Sequence, residues 1–207
     1  YGKEINGFTE ESKPNFFESS YSIVKGFTDR LMHLMDSNVL NLRIRMPIVD
    51  NEHPRNFITK IVNYEKICNC PNSMTVLPEL LPIALDMALQ YRTGTFNLTN
   101  PGLISHNEIL DMYIQIVDPN FTYQNFTYEE QMEILDSGRS NNFLDTTKLQ
   151  SLYPTVTNIK ESVRNCLKQY KKSYKLKVSS NVIQKQIITI DNKLNLKNKS
   201  DNVLLVT

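Results

Sequence analysis

From Tyr21 to Met35 the apolar residues Tyr21, Val24, Phe27, Leu31 and Leu34 recur at helical spacing, and Ser19 or Ser20 is placed to cap the first turn. The pattern then changes. Asn38 closes that helix, and Val39–Met46 alternates, with Leu40, Leu42, Ile44 and Met46 on one face and Asn41, Arg43 and Arg45 on the other. Pro47, which has no N–H for a ladder, is expected to end this strand. A polar loop over 48–56 leads to a short helix, Phe57–Tyr64, marked by Phe57, Ile58, Ile61 and Val62. Short extended pieces follow between Ile67 and Val76. Leu77–Tyr91 is a strongly apolar helix whose Pro82 sits near its first turns, and Gly94 separates it from a strand over Thr95–Leu98.

Two capping boxes announce further helices. Ser105 with Glu108 precedes Ile109–Val117, and Thr127 with Glu130 precedes Gln131–Leu135. Asp145 is placed to cap Thr146–Leu152, and Asn158 to cap Ile159–Lys168. Helix, strand, helix, strand, helix is the order of an α/β architecture with a largely parallel sheet, finished by a helical lobe. After Lys168 the composition shifts to Lys, Asn, Ser and Val. Residues 169–207 read as an appended tail, either a β-hairpin or edge strand or a disordered segment.

The bulk properties narrow the function. A net charge of +1 gives no electrostatic reason to expect nucleic acid or an acidic membrane surface as partner. No apolar run reaches the roughly 18 residues of a membrane span, and the chain opens without a basic-then-apolar leader, so a cytoplasmic location is the default. Cys68, Cys70 and Cys166 are an odd set with no His or Cys cluster to complete a metal site. Neither a disulfide framework nor a metal is expected.

Tyr21-Ser-Ile-Val-Lys25 carries the main chemical signal. Residues four apart share a helix face, so phenol and ammonium can reach one pocket. A free phenol titrates near 10, and a neighbouring cation favours its phenolate. Such a pair suits proton transfer to a carbonyl oxygen, although Tyr and Lys at this spacing are also common on helices with no catalytic role.

The motifs YSIVKG, NLRIRMPI, PRNFITKI, CPNSMTVLPELLPIAL, FNLTNPGLISHNEIL, FTYEEQMEIL and RSNNFLDTTKL, taken in order, resemble one family closely. It is the bifunctional UDP-4-keto-6-deoxyglucose 3,5-epimerase/4-reductases of UDP-rhamnose synthesis, within the extended short-chain dehydrogenases and related to dTDP-4-dehydrorhamnose reductase. The resemblance runs from Asn6 to Lys168. It implies the carboxy-terminal part of a Rossmann-type doubly wound sheet plus a small, mostly helical substrate lobe.

The resemblance also assigns roles. Tyr21 would be the acid for the C4 oxygen, Lys25 would hold the nicotinamide ribose, and Lys60 would be the acid/base for epimerisation at C3 and C5. Met46, Pro47 and Ile48, past the strand's carboxyl end, resemble the segment lining the nicotinamide of NADPH or NADH. Arg55, Asn56, Ser73, Met74, Thr75, Arg139, Asn141 and Asn142 resemble contacts to the nucleotide-sugar substrate, with Arg139 suited to a phosphate. Each has a bland counterpart as a solvated or capping residue, and Lys60 without the resemblance reads as a solvated helix lysine. A homodimer is compatible with the family.

One departure stands out. A dinucleotide signature needs a Gly-rich turn where backbone donors approach the pyrophosphate, and the six glycines here are not spaced for it. The Ser or Thr of the reductase triad, and the Cys that partners the epimerising Lys, would fall before Tyr1. The amino-terminal βαβ part is therefore expected to be absent from these residues. A sugar-nucleotide-binding or scaffold subunit without catalysis stays open as the alternative, and a generic short-chain dehydrogenase would leave the Lys60 and Arg139 motifs unexplained.

Overall fold

The computed structural model describes residues 7–127, 129–130, 142–174, 184 and 188–189. The elements follow the alternation of the sequence: α1 (Ser20–His33), β1 (Leu40–Arg43), β2 (Pro47–Ile48), α2 (Phe57–Ile61), β3 (Thr75–Val76), α3 (Leu77–Leu89), β4 (Gly94–Asn97), α4 (His106–Ile116) and α5 (Thr147–Leu152). A last helix, α6, is helical over 159–174. β1 pairs in parallel with β4, and β2 in parallel with β3. Two strands adjacent in sequence therefore never pair with each other unless a helix lies between them, and each partner is reached by a helical crossover. This is the parallel α/β class that the alternation predicts.

Leu40 and Leu42, one face of β1, pack with Phe96 and Leu98 against Leu80 and Met87 of α3 and Leu149 of α5. A second core is helical. Ile58 and Ile61 of α2, Ile109, Leu110 and Tyr113 of α4, and Ile159, Val163, Leu167 and Tyr170 of α6 close over Ile48 and Val76 of β2 and β3.

The opposite face of β1 is held by charge. Arg43 forms a two-pronged ion pair with Asp29 of α1, Nε to Oδ1 and Nη2 to Oδ2, both at 2.8 Å. Asn41 Nδ2 donates to the same Oδ1 at 3.2 Å and to Thr95 Oγ1 of β4 at 3.2 Å. The guanidinium also donates to the carbonyls of Thr9 and Ser12, which fastens the incoming loop to the strand. Only Gly26 of α1 is buried, because the helix meets the loop closely enough that an added Cβ would lie 2.7 Å from the Phe17 ring and 3.2 Å from Pro14. The apolar positions of α1 point elsewhere, and Val24, Phe27 and Leu34 are 62, 69 and 81% exposed.

Several boundaries differ from the sequence reading. β1 stops at Arg43, and Pro47 begins a new strand instead of ending the old one. The cause is Met46, whose φ of +40 turns the chain and leaves Ile44 half exposed. Pro47 can open β2 because a first strand residue can do without its N–H. α2 is a turn shorter than expected, ending at Ile61 with Val62 as its carboxyl cap. α6 runs past Lys168 because Tyr170 is fully buried and Tyr174 packs edge-on against Tyr113. The Ser105–Glu108 capping box is present, and so are both reciprocal bonds of Thr127 and Glu130. The helix expected over Gln131–Leu135 lies outside the described residues. No described helix is long and apolar enough to cross a membrane.

The Asp29–Arg43 pair makes a pH-dependent prediction. Burial tends to raise the Asp29 carboxyl, but the Arg43 hydrogen bonds and charge, with Asn41 and His33, outweigh it and hold the group below its ordinary value. Its stabilisation is then complete above the unfolded carboxylate's value of about 4 and is lost as pH falls through the lower folded value. Asp29→Asn leaves the guanidinium unpaired and is expected to lower unfolding stability by about 3 kcal/mol at pH 7. The gap to the parent should shrink below about pH 4 in urea titrations.

Candidate active site

Antiparallel packing of α1 on β1 sets the site. Asp29 is joined to Arg43, so the amino-terminal turn of α1 lies toward the carboxyl end of β1. Ser19 caps that turn through a reciprocal box with Ser22. Tyr21, 72% exposed, therefore stands where ligands collect in open parallel sheets. Lys25, one turn on, places its Nζ 5.8 Å from the centre of the Tyr21 ring, so the structure does bring this pair together.

Beyond the strand end, the backbone is fixed by Arg45 and Thr75. The Arg45 N–H donates to Thr75 Oγ1 at 3.0 Å, and the Thr75 N–H returns a bond to the Arg45 carbonyl at 2.8 Å. Met46 follows in its left-handed conformation and packs on the helical core. A non-glycine residue held at positive φ costs of order 1 kcal/mol and is concentrated at functional positions. Ile48 is fully buried in that core, so Met46 and Pro47 are the residues of this segment left near the surface.

The other sequence candidates divide in two. Asn56 is 2% exposed and its amide is committed to the fold: Nδ2 donates to the Val49 and Asn51 carbonyls, and Oδ1 accepts from the Val49 and Ile58 N–H groups. Ser73, Met74 and Thr75 are all fully buried. The Ser73 hydroxyl accepts from the Leu144 N–H, and Thr75 Oγ1 donates to the Leu98 carbonyl. Ser73 also donates its N–H to the Asn142 carbonyl at 2.9 Å, so these two candidate segments are joined. Arg55 and Lys60, by contrast, are exposed, with Lys60 in the last turn of α2. Neither is hydrogen-bonded or ion-paired to Tyr21 or Lys25. Arg139 and Asn141 lie outside the described residues.

Two residues at the site were passed over in the sequence: Arg45 and Asn72. Asn72 is fully buried, and its Oδ1 accepts from Arg45 Nη2 at 2.8 Å and from the Asn142 N–H at 3.0 Å. The signal was the alternation itself, which puts Arg45 on the same face of the strand as Arg43. A cleft of about 330 Å³ opens elsewhere, between Asp50, Glu79 and Gln169. Its Glu79 is bonded to Asn100, Thr157 and Ser162, and none of the reactive candidates lines it. Among the described residues no cluster of His, Cys, Asp and Glu is placed to hold a metal ion.

A nicotinamide group fits one end of this arrangement. The exposed phenol, the lysine beside it and the left-handed turn at Met46 leave an open face at the strand's end. No Gly-rich turn for its pyrophosphate is found in the sequence.

Comparison with known proteins decides the kinship. The chain is 56% identical over 171 residues to a protein of Acanthamoeba polyphaga mimivirus, matching 83% of this chain and 59% of that one. The crystal structure of that virus's UDP-rhamnose synthase superposes with a TM-score of 0.76 at 56% identity, over 82% of this chain and 59% of the other. A bifunctional dTDP-4-dehydrorhamnose 3,5-epimerase/dTDP-4-dehydrorhamnose reductase of Arabidopsis thaliana is 53% identical over 158 residues, 76% of this chain and 52% of its own length. The chain is a homologue of these rhamnose-forming epimerase/reductases. It spans just over half the length of each. A dTDP-4-dehydrorhamnose reductase of Clostridium acetobutylicum, 16% identical with a TM-score of 0.59, shares the fold. No family model matches the chain.

Asn56 and Arg55 offer a clean contrast. Asn56→Ala strips an amide that closes four bonds, and is expected to lower stability by about 2 kcal/mol in chemical denaturation. Arg55→Ala should stay within about 0.5 kcal/mol of the parent, so any effect it has on sugar-nucleotide affinity reports on recognition of the ligand and not on a weakened fold.

Proposed function

We propose that this chain carries the reducing and epimerising residues of an NADPH-dependent UDP-4-keto-6-deoxyglucose 3,5-epimerase/4-reductase, which yields UDP-L-rhamnose. The observation that carries the reading is the exposed Tyr21 phenol with Lys25 beside it, at the carboxyl end of β1 next to the left-handed Met46. Kinship over most of the chain to a viral UDP-rhamnose synthase and to a plant dTDP-4-dehydrorhamnose 3,5-epimerase/reductase supports it. A bound reduced nicotinamide would supply hydride to C4. Tyr21 gives its proton to the C4 oxygen as the ketone becomes an alcohol, and Lys25 steadies the charge left on the phenol. Lys60, exposed on α2, takes and returns protons at C3 and C5, which are acidic because they flank the C4 ketone. Asn142 contributes to the substrate wall, and the diphosphate is assigned to Arg55 and Arg139.

The fold reading goes with it. β1 has β4 as its one partner among the described residues, and the exposed apolar face of α1 lies beside it. In a Rossmann-type sheet that side takes the Gly-rich βαβ part with the pyrophosphate turn. The second reading is a sugar-nucleotide-binding subunit without turnover.

The test is turnover of UDP-4-keto-6-deoxyglucose with NADPH in deuterated water. Tyr21→Phe is expected to lower reduction by about a hundredfold or more while deuterium still enters C3 and C5. Lys60→Ala should suppress that incorporation. Unchanged reduction in Tyr21→Phe contradicts the assignment, and substrate binding with neither exchange nor reduction in the parent supports the second reading.

A further inference from the structure

Cys68 and Cys70 lie in the loop between α2 and β3, and the chemistry proposed above makes no use of them. All three cysteines of the chain are thiols, yet the Cys68 and Cys70 Sγ atoms stand 3.6 Å apart, in contact. The backbone between them is already folded for closer approach. The Cys70 N–H donates to the Cys68 carbonyl at 3.2 Å, an i to i+2 bond that closes a γ-turn around Asn69. A fully extended chain would set Cα atoms two residues apart at about 7 Å. That is the limit for a disulfide, and the turn brings the pair inside it. Cys68 and Cys70 are 9% and 8% exposed and Asn69 between them is exposed, so the pair sits at the edge of the surface, within reach of a small oxidant.

The loop is pinned at both ends. Ile67 donates to the Gln124 carbonyl at 2.8 Å and accepts from the Phe126 N–H at 3.0 Å, while Asn72 exchanges both backbone bonds with Ile104. An S–S bond of about 2.05 Å draws the sulfurs together by about 1.5 Å, and residues 68–71 must absorb that movement. Pro71 has no N–H, so the Cys70 carbonyl is the one hydrogen-bonding group of the peptide that joins Cys70 to Pro71. That carbonyl accepts from Asn72 Nδ2 at 3.3 Å. Asn72 is fully buried, and its Oδ1 accepts from the Asn142 N–H at 3.0 Å and from Arg45 Nη2 at 2.8 Å. A change at the sulfurs therefore passes through one amide to Asn142 and to the end of β1.

We propose that Cys68 and Cys70 form a reversible redox switch: hydrogen peroxide joins them in a disulfide, and the bridge resets the Asn72 amide and with it Asn142. The consequence for the substrate rests on the reading of Asn142 as part of the substrate wall; the bridge itself does not. In the first step the thiolate of one cysteine attacks the peroxide and the O–O bond breaks. A sulfenic acid forms, and the thiol's own proton completes the first water. The second cysteine then attacks that sulfur. The S–S bond forms, and the hydroxide that leaves takes the second thiol's proton as the second water. The two sulfurs together give up two electrons, and one peroxide becomes two waters. A dithiol reductant reverses the bridge by exchange.

The bridge is tested on the whole chain, treated with dilute hydrogen peroxide and mapped by peptide mass spectrometry. Trypsin, cutting after Lys66 and Arg92, releases residues 67–92 as one peptide. We expect this peptide to become lighter by two hydrogen atoms, with both thiols closed to alkylation, and to recover on dithiothreitol. Oxidation of Met74 or Met87, both fully buried and in the same peptide, would add oxygen instead and resist dithiothreitol. Cys166, whose thiol burial pushes up to about 12, is the internal reference and should remain open to alkylation after denaturation. Cys68→Ala and Cys70→Ala are made separately, so that an unfolded variant leaves the other as control, and neither should lose the two hydrogens. A parent peptide that keeps both thiols, oxidises past sulfenic acid without closing, or bridges to Cys166 overturns the proposal.

Transmission is read from backbone amide spectra of the reduced and oxidised chain. The Asn142 N–H should shift on oxidation and return with dithiothreitol, while that of Leu167, fully buried in α6, should not move. A bridge that leaves Asn142 unmoved overturns the switch. UDP-L-rhamnose should then bind the oxidised chain about two- to tenfold more weakly, the range for one hydrogen bond lost. Equal binding in both states with Asn142 shifted, or no binding in either, removes Asn142 from the substrate wall and leaves the switch in place.

Discussion

The ion pair between Asp29 and Arg43 is the interaction on which the rest of the site depends. Helices usually lie on a parallel sheet through an apolar stripe, yet α1 meets β1 through two parallel N–H···O bonds and the amide of Asn41. Bidentate geometry fixes the helix in rotation as well as distance. That matters more than its energy, because Tyr21 and Lys25 can face the strand's end only if α1 neither slides nor turns. It also frees the apolar side chains of α1 from supporting the sheet, and they stand exposed. The cost of withdrawing two charges from water is offset by the number of acceptors supplied, with the Thr9 and Ser12 carbonyls completing the guanidinium's fork.

Downstream of that pair, the chain uses backbone geometry where it could have used side chains. Met46 at positive φ ends one strand and lets Pro47 start another in a different pairing. Thr75 ties the halves together, accepting from the Arg45 N–H and donating to the Leu98 carbonyl through one hydroxyl. The helical core of α2, α4 and α6 then has a separate task, to present Lys60 and Arg55 on a rigid lobe. In the proposed reaction the proton donor rides on α1 beside the sheet and the exchanging base on the helical lobe.

Much of this was readable in the sequence, for identifiable reasons. The capping box at Ser105, the crossover order and the apolar run of α3 are local signals, and local signals survive folding. The Tyr21–Lys25 pair was legible because four residues are one helical turn. What was not legible depended on distant partners. Asn56 looked like a ligand for the substrate, but Val49, Asn51 and Ile58 occupy it. Ser73 and Thr75 resembled contacts to the substrate, but they are buried, with their hydroxyls on Leu144 and Leu98. Pro47 was read by its usual habit of ending strands, and nothing in the alternation could show that Met46 would turn left-handed. Arg45 was visible as a strand residue, while its clamp comes from Asn72, 27 positions away.

Everything proposed for the chemistry requires the sugar nucleotide to lie across the carboxyl end of β1, against Met46 and Tyr21. Methionine methyl spectra of the isotopically labelled protein, titrated with UDP-L-rhamnose, test that placement most directly. The Met46 methyl should shift with saturation, while Met87, buried with Leu80 and Phe96 in the core between β1, β4 and α3, should not move. Saturable binding that leaves Met46 untouched, or that shifts Met87 instead, contradicts the placement.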